Sequence, residues 1–392
     1  MKKYDEHFLL DVNTVKDFVF DMDLFQTKEN LESLEIGDGN INYVFKVYDT
    51  VSNKSLIVKQ ADKLLRSSQR PFNMHRNKIE YDILNLNQTL VEKLVPKMYF
   101  YHEKMYAMVM EDVSRCKNLR KQLMDGKCFN HLADSISSYI AKTTIVMSDL
   151  VLASDIKKEN VKKFTNIDCC DISEDLVFTE PYNNYKNRNI IKKENLEFVK
   201  ENIYDNKKLR VEVGILRNKY MNNSQSLIHG DLHSGSIFII DNELKVIDPE
   251  FAFYGPIGYD IGNVIGNLYF SLFYTMYNHP ERKEFITWIQ KEIVDIYDLC
   301  KNKLRSEMDE HIDNSVYNDD FQNIYLDEIM SDTLGYAGCE MIRRVVGDSK
   351  VEEISSIDNV LMEQDIILQA IKLILNRNEI NKKEFLQVGG NF

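Results

Sequence analysis

The chain has 392 residues, longer than one ordinary compact domain, so two lobes or domains sharing an interface are expected. Hydrophobic residues make up 44% and charged residues 28%, the balance of a soluble globular protein, and no run of about 18 apolar residues is present to span a bilayer. The formal charge is −13, from 49 Lys and Arg against 62 Asp and Glu, and no basic stripe offsets it; this excludes a general nucleic-acid binder and requires any anion site to be locally basic or metal-assisted.

The first residues, "MKKYDEHFLLDVNTVKDF", acquire acids soon after two lysines and hold no signal-like apolar stretch, so a cytoplasmic location is expected. The six cysteines, Cys169 and Cys170 among them, follow no metal-ligand spacing and no dense disulfide pattern, which fits reduced thiols. In chain order, Gly37 and Gly39 precede "INYVFKVYDT" and "KSLIVKQA", two β-rich runs joined by a turn at Val51 to Lys54. "NMHRNKIEYDILNLNQTL" carries Ile79, Ile83, Leu84 and Leu86 as a helical stripe, and "KMYFYHEK" and "MYAMVMEDV" follow as paired strands.

After Val113 the pattern is mainly helical. "HLADSISSYIAKTTIVMSDLVL" and "EFITWIQKEIVDIYDLCKNKL" repeat apolar residues at spacings of three and four, and "DISEDLVFTEPYNNYKNRN" reads as a polar loop between helices. Trp288 falls on an apolar helical stripe and is expected in the core.

One hairpin interrupts this helical half. In "LIHGDLHSGSIFIIDNELKVIDPEF", from Leu227 to Phe251, the runs "SIFII" and "LKVID" flank Asp241, Asn242 and Glu243. Antiparallel pairing would return the chain to its start, bringing Asp231 towards Asp248 and Glu250. Carboxylates so gathered repel unless a cation or a proton joins them. A divalent cation on Asp248 and Glu250 would leave Asp231 to accept a proton from a nucleophilic hydroxyl, which is a phosphoryl-transfer layout. Solvated carboxylates on a surface hairpin are the plainer alternative.

"HGDLHSGSIF" resembles the catalytic loop of the aminoglycoside-phosphotransferase-like kinases, a branch of the protein-kinase-like fold. The resemblance makes Asp231 the catalytic base and the later acidic motif a metal site. Ser236 stands where most members have a metal-binding Asn, and Asp248-Pro249-Glu250 stands where protein kinases have Asp-Phe-Gly. Both departures resemble the S-methyl-5-thioribose kinases.

The other parts of a kinase occur in the required order. Gly37 and Gly39 leave backbone open to phosphates, with Asn40 as a further donor, although a glycine pair before a strand is also what an ordinary turn uses. Lys59 ends an apolar strand as a point charge for phosphates, and Glu80 is its helix partner or a solvated glutamate. The backbone of Glu111, Asp112 and Val113 forms the hinge that would face adenine. Far downstream, "LGYAGCEMIRRVVG" holds Arg343 and Arg344, which point about 100 degrees apart on a helix and cannot face one target equally unless a helix end or bend intervenes. In the resembled family a twin arginine lies in the sugar site, binding substrate and stabilising the transferred phosphoryl. His229 is expected to brace the loop, and "FTEPY" at 178 to 182 carries no assigned chemistry.

The resemblance spans essentially the whole chain. It implies an α+β, bilobal kinase-like fold with an ATP-binding lobe over residues 1–112, built on a small antiparallel sheet, and a mainly helical catalytic lobe over 113–392. It implies ATP and Mg2+, with cofactor contacts from Gly37, Gly39, Asn40, Lys59, Glu111, Asp112, Val113, Asp248, Pro249 and Glu250, the metal on Asp248 and Glu250, and the sugar held by Asp231, Arg343 and Arg344. It also implies a homodimer, with no nucleic-acid or membrane partner. The rivals are a related kinase for another sugar or an amino alcohol, and a non-catalytic nucleotide-binding module. A cationic substrate would not favour a twin arginine, and a non-catalytic module would be expected to lose Asp231, Asp248 or Glu250, all of which are present.

Overall fold

"YVFKVYD" alternates apolar and polar residues and "SLIVKQ" is nearly all apolar, so both form strands that place a face on a shared core. The computed structural model of the chain describes residues 3–36, 42–64 and 73–388; Gly37, Gly39 and Asn40 lie outside them. Strands β1 (Leu31–Ile36), β2 (Tyr43–Asp49), β3 (Ser55–Gln60), β4 (Met98–His102) and β5 (Ala107–Glu111) form an antiparallel sheet in the order β1-β2-β3-β5-β4. The β2–β3 turn is fixed by Asp49, whose Oδ1 accepts from Val51 N–H (2.8 Å) and Ser52 N–H (3.0 Å), with Asn53 in the left-handed region. Helix α1 (Thr14–Asp21) lies against β1 and β2 and adds Val15, Phe18 and Val19 to a core with Phe45, Val47, Leu56 and Val58. Helix α2 (His75–Val91) lies against β4 and β5; it buries Ile79, Ile83 and Leu84 as the stripe predicts, leaves Leu86 half-buried, and also buries Arg76 and Glu80. These elements make one unit, Met1–Cys116 with Lys245–Glu250.

The second unit, Lys117–Leu244 with Phe251–Phe392, is mostly helical. It contains α3 (Leu119–Met124), α4 (Leu132–Thr144), α5 (Ser154–Lys163), α6 (Ile167–Leu176), α7 (Leu196–Val199), α8 (Lys207–Asn222), α9 (Ile257–Asn278), α10 (Lys283–His311), α11 (Asp319–Val346), α12 (Glu352–Ser355) and α13 (Val360–Asn376). Strand β6 (Lys117–Asn118) pairs with β8 (Ile237–Ile240), and β7 (Ser226–Ile228) pairs with β10 (Phe253–Gly255). The hairpin read from the sequence is β8 followed by β9 (Glu243–Val246), with the unit boundary inside β9.

Helix α9 is buried from Ile257 to Phe273, and α11 lies along it. Gly258 and Gly262 permit that approach: a Cβ at either would sit 2.7 Å from α11 backbone, at Ile329 O and Ala337 N. No helix among the described residues is long and apolar enough to cross a membrane. Two expectations need correction. The segment read as a loop from Asp171 is helical to Leu176, and Trp288 is half-buried against Phe285 rather than in the core.

Candidate active site

In the first unit, Lys59 sits near the end of the central strand β3, paired in register with Val44 and Met108. Its Nζ donates to Glu80 Oε1 (2.8 Å) on α2 and to Asp248 Oδ1. Glu250 lies beside them: Asn42 Nδ2 donates to its Oε2 (2.9 Å), and Arg76, which donates from Nη2 to Asn42 Oδ1 (2.9 Å), holds its Nε 3.6 Å away. Carboxylate oxygens of Glu80, Asp248 and Glu250 lie within 4.8 Å of one another. Asp248 adopts φ +67, and Pro249 between the two acids is buried.

Crowding and burial set the charges. Burial alone would lower the Lys59 pKa, but Asp248, Glu80 and Glu250 outweigh it and hold the ammonium charged. Burial, reinforced by the neighbouring acids, pushes Glu80 up to about 8 and Glu250 up to about 6. Three carboxylates that resist joint ionisation around one lysine leave room for a further cation, and an all-oxygen donor set suits a hard one. Magnesium fits these residues.

In the segment expected to be the hinge, Glu111 N–H donates to Lys97 O (2.8 Å) and Val113 O accepts from Cys116 N–H (2.9 Å). The Asp112 carboxylate is tied to Lys46 (2.7 Å), Ser55 Oγ (2.7 Å) and Ser114 N–H (2.9 Å). Burial would raise its pKa; these contacts overcome that and hold it at about 2. The Asp112 side chain is therefore occupied in bracing the segment expected to be the hinge.

In the second unit, β7 delivers His229, Gly230 and Asp231. Gly230 has φ +80, and a Cβ there would sit 2.2 Å from Phe251 O, so the turn before Asp231 requires glycine. Asp260, in the first turn of α9, accepts from His229 N–H (2.7 Å) and Gly230 N–H (2.9 Å) and pins the loop. His229 Nδ1 lies 3.3 Å from the Asp231 amide, the bracing contact expected of it.

Asp231 faces three basic groups. His233 Nε2 is 3.4 Å from Oδ2, while Arg343 Nη2 and Arg344 Nη2 are 3.4 and 3.9 Å from Oδ1. His233 Nδ1 accepts from Gly235 N–H (2.9 Å), which places the imidazole proton on Nε2, towards Asp231. Burial alone would raise the Asp231 pKa, yet His233 and the two arginines hold the carboxyl far below the usual range. Ser236 donates from Oγ to Asp231 O (3.2 Å), so this departure from the common Asn braces the loop backbone.

Arg343 and Arg344 reach one target although they are adjacent on α11. Glu340, one turn earlier and 1% exposed, gathers them: Arg343 Nε donates to its Oε2 and Arg344 Nε to its Oε1 (2.9 Å). Burial would raise the Glu340 pKa, but the two guanidiniums lower it, and Glu340 and Asp231 in turn keep Arg343 charged. Sequence reasoning missed Glu340, Asp260, Arg76 and Asn42. The spacing of Glu340 three and four residues before the arginines was the one signal that a helical pairing rule could have used.

A model of the phosphotransferase enzyme family matches residues 198–283, the stretch that holds Asp231, Asp248, Glu250 and Asp260. The methylthioribose kinase of Bacillus pumilus is 34% identical over 338 residues, 85% of this chain and 83% of its own length. That of a Geobacillus species is 35% identical over 368 residues, covering 93% and 89%. Among solved structures, the choline kinase of Cryptosporidium parvum is similar at a TM-score of 0.51 and 14% identity, covering 96% of this chain and 98% of that one, a likeness of fold alone. The fold is the kinase-like α+β one.

Proposed function

The chain belongs to the methylthioribose kinase family and is an ATP-dependent kinase of methylthioribose, and we propose that the acceptor is the 1-hydroxyl, giving the 1-phosphate and ADP in methionine salvage. The observation that carries this assignment is Asp231 held ionised between His233 and the twin arginine. A carboxylate with so low a pKa is a weak base. It suits an anomeric hydroxyl, which is more acidic than an ordinary alcohol.

Asp231 orients the 1-hydroxyl and accepts its proton as the oxygen bonds to the γ-phosphorus and the bond to the ADP oxygen breaks. Arg343 and Arg344 bind the sugar side and neutralise charge on the transferred phosphoryl. Lys59, kept charged by its three carboxylates, steadies the phosphates of ATP. Asp248 and Glu250 would hold Mg2+, which supplies charge neutralisation at the phosphates when bound. Residues 1–112 are assigned to ATP, with Gly37, Gly39, Asn40 and the backbone of Glu111 to Val113 as contacts, and residues 113–392 to the sugar and the chemistry. Family resemblance supports a cytoplasmic homodimer.

The test is ADP release by the purified protein with ATP, Mg2+ and, separately, methylthioribose, ribose, choline and an aminoglycoside. Selective turnover of methylthioribose is expected. Preference for another acceptor, or none accepted while ATP still binds, would overturn the assignment.

A further inference from the structure

Asp231 and the twin arginine come from different segments, the loop after β7 and the last turn of α11. Transfer requires their separation to be fixed, because a misplacement of about 1 Å costs on the order of 100-fold in rate. Asn267 on α9, 1% exposed, is hydrogen-bonded towards both. Its Oδ1 accepts from Arg120 Nη2 (2.8 Å) and from Ser234 Oγ (3.4 Å), three residues past Asp231. Its Nδ2 donates to Asn263 O (2.9 Å) and to Glu340 Oε1 (3.1 Å), the oxygen that also receives Arg344 Nε.

All four hydrogen-bonding positions of the amide are thus used, and its orientation follows from its partners. A guanidinium only donates, so Oδ1 faces Arg120; an ionised carboxylate only accepts, so Nδ2 faces Glu340. Arg120 is itself fixed, with Nε 3.5 Å from Glu353 Oε2, a carboxylate with no side-chain exposure. Asn118, two residues before it, donates from Nδ2 to Gly235 O (2.8 Å) in the Asp231 loop. A buried asparagine that served α9 alone would not need a loop hydroxyl, an arginine and the arginine-holding carboxylate at once.

We propose that Asn267 is the positioning residue of the transfer site: through Glu340 it fixes the twin arginine, and through Ser234 and Arg120 it fixes the Asp231 loop, so that both are held in one register. The inference rests on the kinase assignment above.

The experiment is steady-state kinetics of the full chain with ATP and methylthioribose for the wild type, Asn267→Ala, Glu340→Gln and the double variant, with a crystal structure of Asn267→Ala. Asn267→Ala is expected to lower kcat by about 10- to 100-fold with the KM for ATP within about twofold, and the double variant to lose less than the product of the two single losses, since residues that share one contact are not additive. The crystal structure is expected to show the Arg343 to Asp231 separation changed by about 1 Å or more from 3.4 Å, with α9 and α11 superimposable. Wild-type-like kcat, multiplicative losses in the double variant, or an unchanged separation would each overturn the proposal. If Asn267→Ala fails to fold, Asn267→Asp, which keeps the acceptor for Arg120 and Ser234 and turns the donor to Glu340 and Asn263 O into a second carboxylate oxygen, takes its place with the same criteria. Should the wild type not use methylthioribose, the kinase assignment fails, and the crystallographic separation alone decides this inference.

Discussion

Replacing Asp231 by asparagine removes one charge and almost no volume, so its effect isolates what the carboxylate does. Removing a general base typically costs about 100- to 10,000-fold. His233, Arg343 and Arg344 hold this carboxyl well below its ordinary range, which leaves little driving force for proton acceptance. The loss should therefore fall in the lower half of that span, about 100- to 1,000-fold in kcat, or about 2.7 to 4 kcal/mol at the transition state. Stability changes with a definite sign. A carboxyl whose pKa is depressed in the folded state contributes stability above its unfolded value, lost as pH falls through the folded one. Asp231→Asn should accordingly be less stable than wild type at pH 7, by on the order of 1 to 3 kcal/mol, with the gap nearly unchanged at about pH 4 and closing only below it. The assay is coupled ADP release at saturating substrates, with ATP binding measured by calorimetry and unfolding by urea at pH 7 and pH 4. A kcat within about threefold of wild type would refute the role of base. A wild-type acid limb centred near pH 4 and missing from the variant would refute the electrostatics, because it would place Asp231 in the ordinary carboxylate range.

Lys59→Met removes the cation shared by Glu80 and Asp248. A charge-assisted contact to phosphate is worth about 1.5 to 3 kcal/mol, so the KM for ATP should rise about 10- to 100-fold; an ATP titration giving a KM within about twofold of wild type would remove Lys59 from the phosphate site. Glu292 on α10 is 4% exposed and is raised to about 7 by burial, although Ala133 N–H donates to its Oε2 (3.1 Å). Between its unfolded value of 4.5 and about 7 the native state holds the extra proton, so stability falls as pH rises through this window. Glu292→Gln keeps the acceptor for Ala133 and should gain about 1 to 2 kcal/mol at pH 8 and nothing at pH 4, read from urea midpoints; an equal change at both pH values would show that Glu292 is not buried with a raised pKa.

The groups proposed to react were legible in the sequence because chemistry fixes their identity and the chain delivers them in short segments. "HGDLHSGS" and "DPE" need particular residues at particular spacings, and the helices of the second unit announce themselves by period. The groups that hold this chemistry in place carry no such local mark. Arg120 and Asn267 are 147 residues apart, and Asn267 and Glu340 are 73 apart. Any donor and acceptor of suitable length could have served, so nothing near either residue predicts the contact. Helix α6 was missed for a related reason: it buries only Cys169 and Ser173, too thin a stripe to rise above a polar composition.

The twin arginine shows where reasoning from spacing fails. Neighbouring helix positions diverge by about 100 degrees, which would place one guanidinium on the target and the other away from it. That geometry holds at Cβ, but an arginine head lies several bonds beyond it, and its direction is decided by what holds Nε. Glu340 presents one oxygen to each arginine from one turn below, so both terminal nitrogens turn towards Asp231 although their Cβ atoms diverge. Adjacent arginines on a helix are thus better judged by the residues three and four positions before them than by their own angular separation. A glutamate there converts divergence into convergence, and its burial makes the resulting fork rigid enough to set a distance.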